Sequence, residues 1–141
     1  MAPVELPRRV VVGSATAYSM WLQANLIGDA LAGDFLVHVH RWPGVPSMEA
    51  DAYIFISNAD WVRVEHLARV KARKYVLYLV IEGPFANPEL KEVVAKFSPY
   101  VASPSKYAAS KIEESTGIKV DEVIPHGIAY LPPPAPPAKD S

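Results

Sequence analysis

The sequence predicts an α/β fold, a single Rossmann-like domain of three layers built on a parallel β-sheet. Strand-like runs rich in β-branched residues alternate with helical segments along most of the chain. Residues 75–81 form a continuous apolar run without alternation, which is typical of a central strand covered on both faces. A length of 141 residues suits one domain. We expect residues 1–130 to form that domain and the proline-rich residues 131–141 to form a linker or tail.

The elements follow one another in a regular order. Strands are expected at residues 9–12, 35–39, 52–56 and 75–81, with short strands before residue 103 and at residues 120–124. Helices are expected at residues 19–31 and 61–73, from residues 87–88 onward, and from residues 103–105 to Gly117. The third helix has a core stripe at i, i+3, i+4 and i+7, namely Leu90, Val93, Val94 and Phe97. Right-handed crossovers between such strands give a parallel sheet with helices on both faces.

Composition excludes several classes of function. The formal net charge of −1 gives no overall attraction to nucleic acid, so no nucleic-acid partner is expected. The chain has no cysteine, which excludes disulfides and cysteine-ligated metals. The first nine residues lack the apolar core of a signal peptide, and no apolar run approaches the ~20 residues of a membrane span. We therefore expect a cytoplasmic protein.

A basic group at the end of the second predicted helix offers one route to a membrane surface. Arg69, Lys71, Arg73 and Lys74 would lie together at the negative end of the helix dipole. They could contact anionic lipid, or they could simply form a solvated face. Membrane contact is accordingly expected to be peripheral at most.

Residues 96–128 carry the most specific pattern. A serine of the Ser-Pro-Ser run at residues 103–105 can cap a helix, and Gly117 can end it in the left-handed conformation. Ile118 can then fold back on Ile112. The strand at residues 120–124 delivers the Pro-His-Gly-Ile turn at residues 125–128 to its carboxyl end, where ligands bind in open α/β sheets.

This order and spacing resemble the end of the N-terminal domain of GT-B glycosyltransferases of the retaining "glycosyl transferases group one" type. In that family a strand leads into a Pro-Ser helix start, a glycine-ended helix, and a strand that closes in Pro-Asn-Gly-hydrophobic-Asp. The chain departs from the pattern at two positions. His126 stands where the family usually has Asn, and Ala129 stands where it usually has Asp.

The resemblance implies the acceptor-binding half of a two-domain transferase, with a parallel-sheet fold. A nucleotide-sugar would be the co-substrate, gripped mainly by a second domain, with no other cofactor. The acceptor would be a sugar or a lipid-linked molecule, and the isolated chain would be inactive. The alternative is a self-standing α/β ligand-binding or interaction domain without chemistry. An NAD-type oxidoreductase is disfavoured, because the full G-x-G-x-x-G fingerprint is absent.

Glu82 is the candidate catalytic residue. It follows the apolar strand at residues 75–81, so a carboxylate there would be partly desolvated, and its pKa could rise toward that of a general base. The resemblance places a His or an acidic group at this strand end, facing the acceptor. Gly83, directly after it, is a candidate for substrate binding. The alternative for Glu82 is a solvated loop carboxylate that caps a nearby helix.

The remaining candidates lie at other strand ends. The resemblance assigns Gly13 and Ser14 to a first loop that approaches the donor phosphates, and the alternative is an ordinary tight turn. Ser57 and Asn58 could bind a sugar hydroxyl, although Asn58 could instead cap the following helix.

Two further pairs complete the candidate substrate site. Ser105 and Lys106 start a helix where an acceptor phosphate could bind, or Ser105 could act only as a cap. His126 and Gly127 occupy the turn that borders the cleft in the family, or they are surface turn residues.

No metal site is expected. His38 and His40 project to one side of a strand and could share a metal ion, but no third ligand lies nearby in the sequence.

Overall fold

The computed structural model describes residues 8–81 and 86–125. The strands are β1 (Arg9–Ser14), β2 (Leu36–Arg41), β3 (Met48–Asn58), β4 (Val70–Val80), β5 (Tyr100–Ser103) and β6 (Glu122–Val123). The helices are α1 (Tyr18–Leu31), α2 (Val64–Ala68), α3 (Glu89–Phe97) and α4 (Lys106–Thr116). Among these helices, none combines the length and the apolar character that a membrane crossing requires.

The strands form one sheet of six in the order β2-β1-β3-β4-β5-β6, and every neighbouring pair is parallel. This confirms the predicted Rossmann-like α/β domain with a parallel sheet. The chain first steps from β1 outward to β2, then crosses back over β1 to β3, and afterwards continues in one direction to β6. The direction of winding therefore reverses between β1 and β3, which is the topological switch point of the sheet.

Handedness explains which face each helix covers. The step from β1 to β2 and the later steps run in opposite directions along the sheet. Because each crossover is right-handed, the helix between β1 and β2 lies on one face and the later helices lie on the other. Accordingly, Met20 and Ala24 of α1 pack in one core cluster, whereas Leu67 of α2, Leu90 of α3 and Ile112 of α4 share the other. The sheet is thus covered by one helix on one face and by three on the other.

The predicted helix at residues 61–73 is wrong in extent. Its helical part is only α2, five residues long, and β4 begins at Val70 rather than at residue 75. Residues 70–74 pair instead with the amino-terminal half of β3, which starts at Met48 and not at residue 52. The ladder with β3 supplies partners to alternate residues of this segment, and the Tyr75 hydroxyl accepts from the N–H of Ala72 and donates to the carbonyl of Val70. Val70 is completely buried, while Lys71 and Arg73 are exposed.

Only one member of the basic group lies at a helix end. Arg69 is the C-cap of α2, and the other three cations belong to the amino-terminal half of β4. The last strand also differs from expectation, because β6 contains two residues in place of the five predicted.

Candidate functional site

The carboxyl edge of the sheet is the candidate site, since ligands of open α/β sheets bind beyond the carboxyl ends of the strands at the switch point. Ser14 ends β1 and Asn58 ends β3, on the two strands that flank this point. Ser103 ends β5, and the helix start at Ser105 follows it. With neighbouring strands about 4.8 Å apart, the edge from β1 to β5 spans about 14 Å. The structure thus brings these predicted residues to one edge, in two groups.

Three buried serines stabilise this edge from inside. The hydroxyl of Ser14 donates to the carbonyl of Ala15 at 3.0 Å, and that of Ser57 donates to the carbonyl of Asn58 at 3.0 Å. The Ser103 hydroxyl donates to the carbonyl of Ser105 at 3.2 Å. All three serines are fully buried. These hydrogen bonds hold the junctions between strands and loops. The hydroxyls of Ser14 and Ser57 are therefore used within the protein and do not face the edge.

Gly13 does not lie in the predicted loop or in a tight turn, so both placements are wrong, while its contact with the donor phosphates stays a prediction. It is part of β1, paired with His40 and Phe55, and the loop begins only at Ala15. A Cβ at Gly13 would lie 2.9 Å from Tyr53 Oη and 3.1 Å from Phe55 Cδ1. Glycine is therefore needed here so that two aromatic rings of β3 can pack over the strand.

The N-terminus of α1, immediately after this loop, is electropositive. Its N-cap residue, Ala17, has no side chain that can accept from the free N–H groups, and the first turn has no acidic residue. The guanidinium of Arg41 is anchored beside it, because its Nε donates to the carbonyl of Thr16 at 2.9 Å and its Nη2 donates to the same oxygen. A helix dipole and a fixed cation thus act together, an arrangement that attracts anions such as phosphate.

Asn58 does not cap the following helix, so that alternative is wrong. The N-cap of α2 is Arg63, and the N–H of Val64 is satisfied by Glu89 Oε2 at 2.8 Å. Within the described residues, the side-chain amide oxygen of Asn58 is buried and makes no hydrogen bond. An unsatisfied buried acceptor costs about 1–3 kcal/mol, and a donor that reaches this oxygen would offset that cost.

The start of α4 matches the predicted cap. Ser105 Oγ accepts from the N–H of Ala108 at 3.1 Å, and Gly117 ends the helix with φ of 75°. Capping of α4 by Ser105 is therefore confirmed. Lys106, the first helical residue, is exposed at the same edge and adds a positive charge there.

An aromatic cluster beneath the edge was not predicted. The His66 ring stacks on Trp61 at 4.1 Å between centroids and meets Trp42 edge-on at 4.6 Å. Its Nδ1 accepts from the N–H of Arg63 at 2.9 Å. Burial lowers the pKa of His66, so the ring is held neutral. Trp61, Arg63 and His66 lie within one short segment, but Trp42 comes from a distant one, so no local spacing could have indicated its contact with His66.

The two histidines of β2 stack in parallel, with ring centroids 6.3 Å apart. Burial, and then the neighbouring His38, lowers the pKa of His40. No group of three or more potential metal ligands occurs among residues 8–81 and 86–125. Four predicted site residues, Glu82, Gly83, His126 and Gly127, lie outside the described residues, and their roles stay predictions.

No family model, no curated protein and no solved structure matches the chain. Its function has to be inferred from its own residues.

Proposed function

We propose that the chain is the acceptor-binding domain of a nucleotide-sugar-dependent glycosyltransferase and needs a second, donor-binding domain for transfer. The observation that carries the proposal is Asn58, whose buried amide oxygen lacks a partner among the described residues at the switch point. Sugars are recognised mainly through hydroxyl donors and acceptors, and such an oxygen accepts one hydroxyl proton.

The electrostatics of the same edge fit a phosphate-bearing second substrate. The uncapped N-terminus of α1 follows β1, one strand away from Asn58, and the anchored Arg41 ends β2, two strands away. In the proposed reaction this corner faces the pyrophosphate of the nucleotide-sugar, which the second domain holds. The acceptor lies toward β3, β4 and β5, where Asn58 and Lys106 flank it.

The residue pattern after β5 supports the choice of family. The Ser105 cap, the Gly117 helix end and the strand after it occur in the order that the resemblance requires. Glu82 remains the proposed general base for the acceptor hydroxyl. In the complete enzyme, Glu82→Gln is expected to abolish most of the turnover, and undiminished turnover would remove Glu82 from the mechanism.

The test separates ligand binding from stability at Asn58. The full chain is titrated with octyl glycosides of glucose, galactose and mannose, and binding is followed through the amide chemical shifts of the labelled protein. For a glycoside that binds, Asn58→Ala should weaken binding about tenfold, the equivalent of one hydrogen bond of about 1.4 kcal/mol. Its free energy of unfolding should stay equal or rise, because an unsatisfied acceptor has been removed.

Asn25→Ala is the matched control. The Asn25 amide donates to the carbonyl of Trp21 at 2.8 Å within α1, so this change should leave glycoside affinity unaltered. Equal affinity of Asn58→Ala and the natural chain, or a loss of stability without a loss of affinity, would contradict the proposed role. Binding of glycosides together with an absence of transfer in the complete protein would instead favour the self-standing binding domain. Transfer from a nucleotide-sugar by this chain alone would refute the need for a second domain.

A further inference from the structure

β2 forms one side edge of the sheet, and its outer side carries free backbone groups. The N–H of Leu36 donates to the carbonyl of Arg8 at 2.8 Å, so the even-numbered residues of β2 direct their backbone groups toward β1. The N–H and carbonyl groups of Val37 and Val39 therefore point away from β1. Within residues 8–81 and 86–125, no strand pairs with this side of β2. A further strand could add there through main-chain hydrogen bonds.

β2 lacks the features that keep natural edge strands from pairing with other chains. Such strands are usually very short, bulged, or interrupted by lysine or proline. β2 has six residues, contains neither lysine nor proline, and keeps an unbroken register with β1 from Leu36 to Arg41. Its one residue with a permanent charge is Arg41, at its end. The strand is therefore suited to pairing.

The helix beside this edge has an apolar side that the sheet does not cover. α1 packs chiefly on β1 and β2, and its buried Gly28 faces Val39 of β2. Trp21 lies two helical turns before Gly28 and hence on the same side of α1. Tyr18, Trp21 and Leu22 are spaced i, i+3 and i+4, so they are neighbours on the helix surface. Tyr18 is 63% exposed, and the other two are partly exposed.

The dimensions of this edge fit a symmetric pair of chains. Antiparallel pairing of β2 with β2 of a second copy follows a twofold axis perpendicular to the sheet, so both α1 helices lie on the same face. The two β2 strands would be about 4.8 Å apart, and each α1 lies about half a strand spacing inside its β2. The two helix axes are then about 10 Å apart, which is the spacing of packed helices. A separate peptide strand would supply no such helix, so the edge favours a second copy.

The charges at the ends of β2 also fit antiparallel pairing. The free groups of Val37 and Val39 can pair in two registers, with either His38 or Val39 on the twofold axis. In both registers the two Arg41 residues lie at opposite ends of the interface. Each approaches Asp34 of the second copy, an exposed acid two residues before β2, to within about 10 Å along the strand. Like charges are thus kept apart and opposite charges are brought together.

We propose that two copies of the chain associate through β2, so that their sheets join edge to edge and their α1 helices pack against each other. The interface consists of the outer side of β2 and the apolar side of α1 formed by Tyr18, Trp21 and Leu22. The inference is independent of the proposed function, because it concerns a side edge of the sheet and not the carboxyl ends of its strands.

Sedimentation velocity tests the association. Between about 5 and 500 μM, the range in which a modest interface is detected, the full chain should shift from monomer to dimer. Leu22→Glu places like charges where the two helices meet and should weaken the dimer at least about tenfold. Ala30→Glu is the matched control, since Ala30 is an exposed residue on the opposite flank of α1, toward Val76 of β4. A monomer at every concentration, or a dimer that Leu22→Glu leaves unchanged, would overturn the proposal.

Cysteine crosslinking locates the interface independently, since the chain has no cysteine of its own. His38 lies opposite or diagonal to His38 of the second copy in the two registers, with Cα atoms about 4.5–8 Å apart. His38→Cys should therefore form disulfide-linked dimers at least about tenfold faster than Ser110→Cys, an exposed position of α4. Equal rates for the two variants would contradict the proposed interface.

Hydrogen exchange distinguishes a second copy from any other cover of this edge. The amide protons of Val37 and Val39 should exchange more slowly as the concentration of the chain rises, and Leu22→Glu should abolish this dependence. Protection that is equal at all concentrations would show that the chain covers the edge itself. Rapid exchange at all concentrations would show that the edge stays free. Either result would refute association through β2.

Discussion

Gly28 sets how closely α1 approaches the sheet, and its substitution tests the packing of this helix beside the edge strand β2. The glycine is buried on the sheet-facing side of α1. A Cβ built there would overlap Val39 Cγ2 of β2, well inside van der Waals contact, and would lie 3.5 Å from Val37 Cγ1. Gly28→Ala therefore forces either the valine or the helix to move.

Two opposing terms determine the result. Overpacking of this kind costs about 1–3 kcal/mol. Alanine in place of glycine inside a helix contributes about 1 kcal/mol in the opposite direction. We expect Gly28→Ala to lower the free energy of unfolding by about 0–2 kcal/mol net.

A double-mutant cycle isolates the clash. Val39→Ala removes the overlapping methyl group, and the Val39 Cβ, 3.9 Å from the new Cβ, is no obstacle. In the Val39→Ala background, Gly28→Ala should therefore stabilise the protein by about 1 kcal/mol, which reverses its sign. Gly33→Ala is the control, since a Cβ there meets no atom within 4 Å. The assay is urea unfolding followed by tryptophan fluorescence. If Gly28→Ala stabilises the protein in the natural background, α1 does not approach Val39 of β2 as closely as described.

The other predictions concern the loops at the carboxyl edge. The pKa of His66 is lowered in the folded protein, so below about pH 6.5 the unfolded chain binds more protons than the folded chain. The contribution of His66 to stability should therefore be complete above that pH and decrease on acidification. The urea midpoint should fall less between about pH 7.5 and 5.5 in His66→Gln than in the natural chain. Asn87 donates to the carbonyls of Ala59 at 3.0 Å and Val62 at 2.8 Å, so Asn87→Ala should cost about 1–3 kcal/mol in urea unfolding, and an unchanged midpoint would contradict this tie. Ser105→Ala should cost about 1 kcal/mol through loss of the α4 cap, with Ser110→Ala as the neutral control in thermal unfolding.

The sequence predicted those elements whose local pattern agrees with their tertiary setting. The run at residues 75–81 is apolar throughout because β4 has neighbours on both sides and cores on both faces, and such a run is recognisable by composition alone. The core stripe of α3 and the two ends of α4 are also determined by residues that are close in the sequence. Leu90 and Val93 are fully buried, and the Ser105 and Gly117 caps depend on residues within one helical turn.

The wrong structural predictions have a common physical cause. Each depends on a contact between residues that are far apart in the sequence. Residues 70–74 fit a helical pattern, but the ladder with β3 outweighs that weak preference. Gly13 was assigned to a turn, whereas the Tyr53 and Phe55 rings, forty residues away, require it to be glycine. The Asn58 oxygen, which lacks a hydrogen-bond partner among residues 8–81 and 86–125, likewise depends on its surroundings in three dimensions, so the sequence could indicate the strand end but not this feature.

The proposed function requires ligands to bind at the carboxyl edge, beside the switch point between β1 and β3. The most direct measurement is a map of amide chemical-shift changes in the full labelled chain on titration with an octyl glycoside that binds. The largest changes should cluster at Ala15, Asn58, Trp61 and Lys106. Changes centred instead on the opposite edge, at Arg9, Glu49 and Lys71, would contradict it.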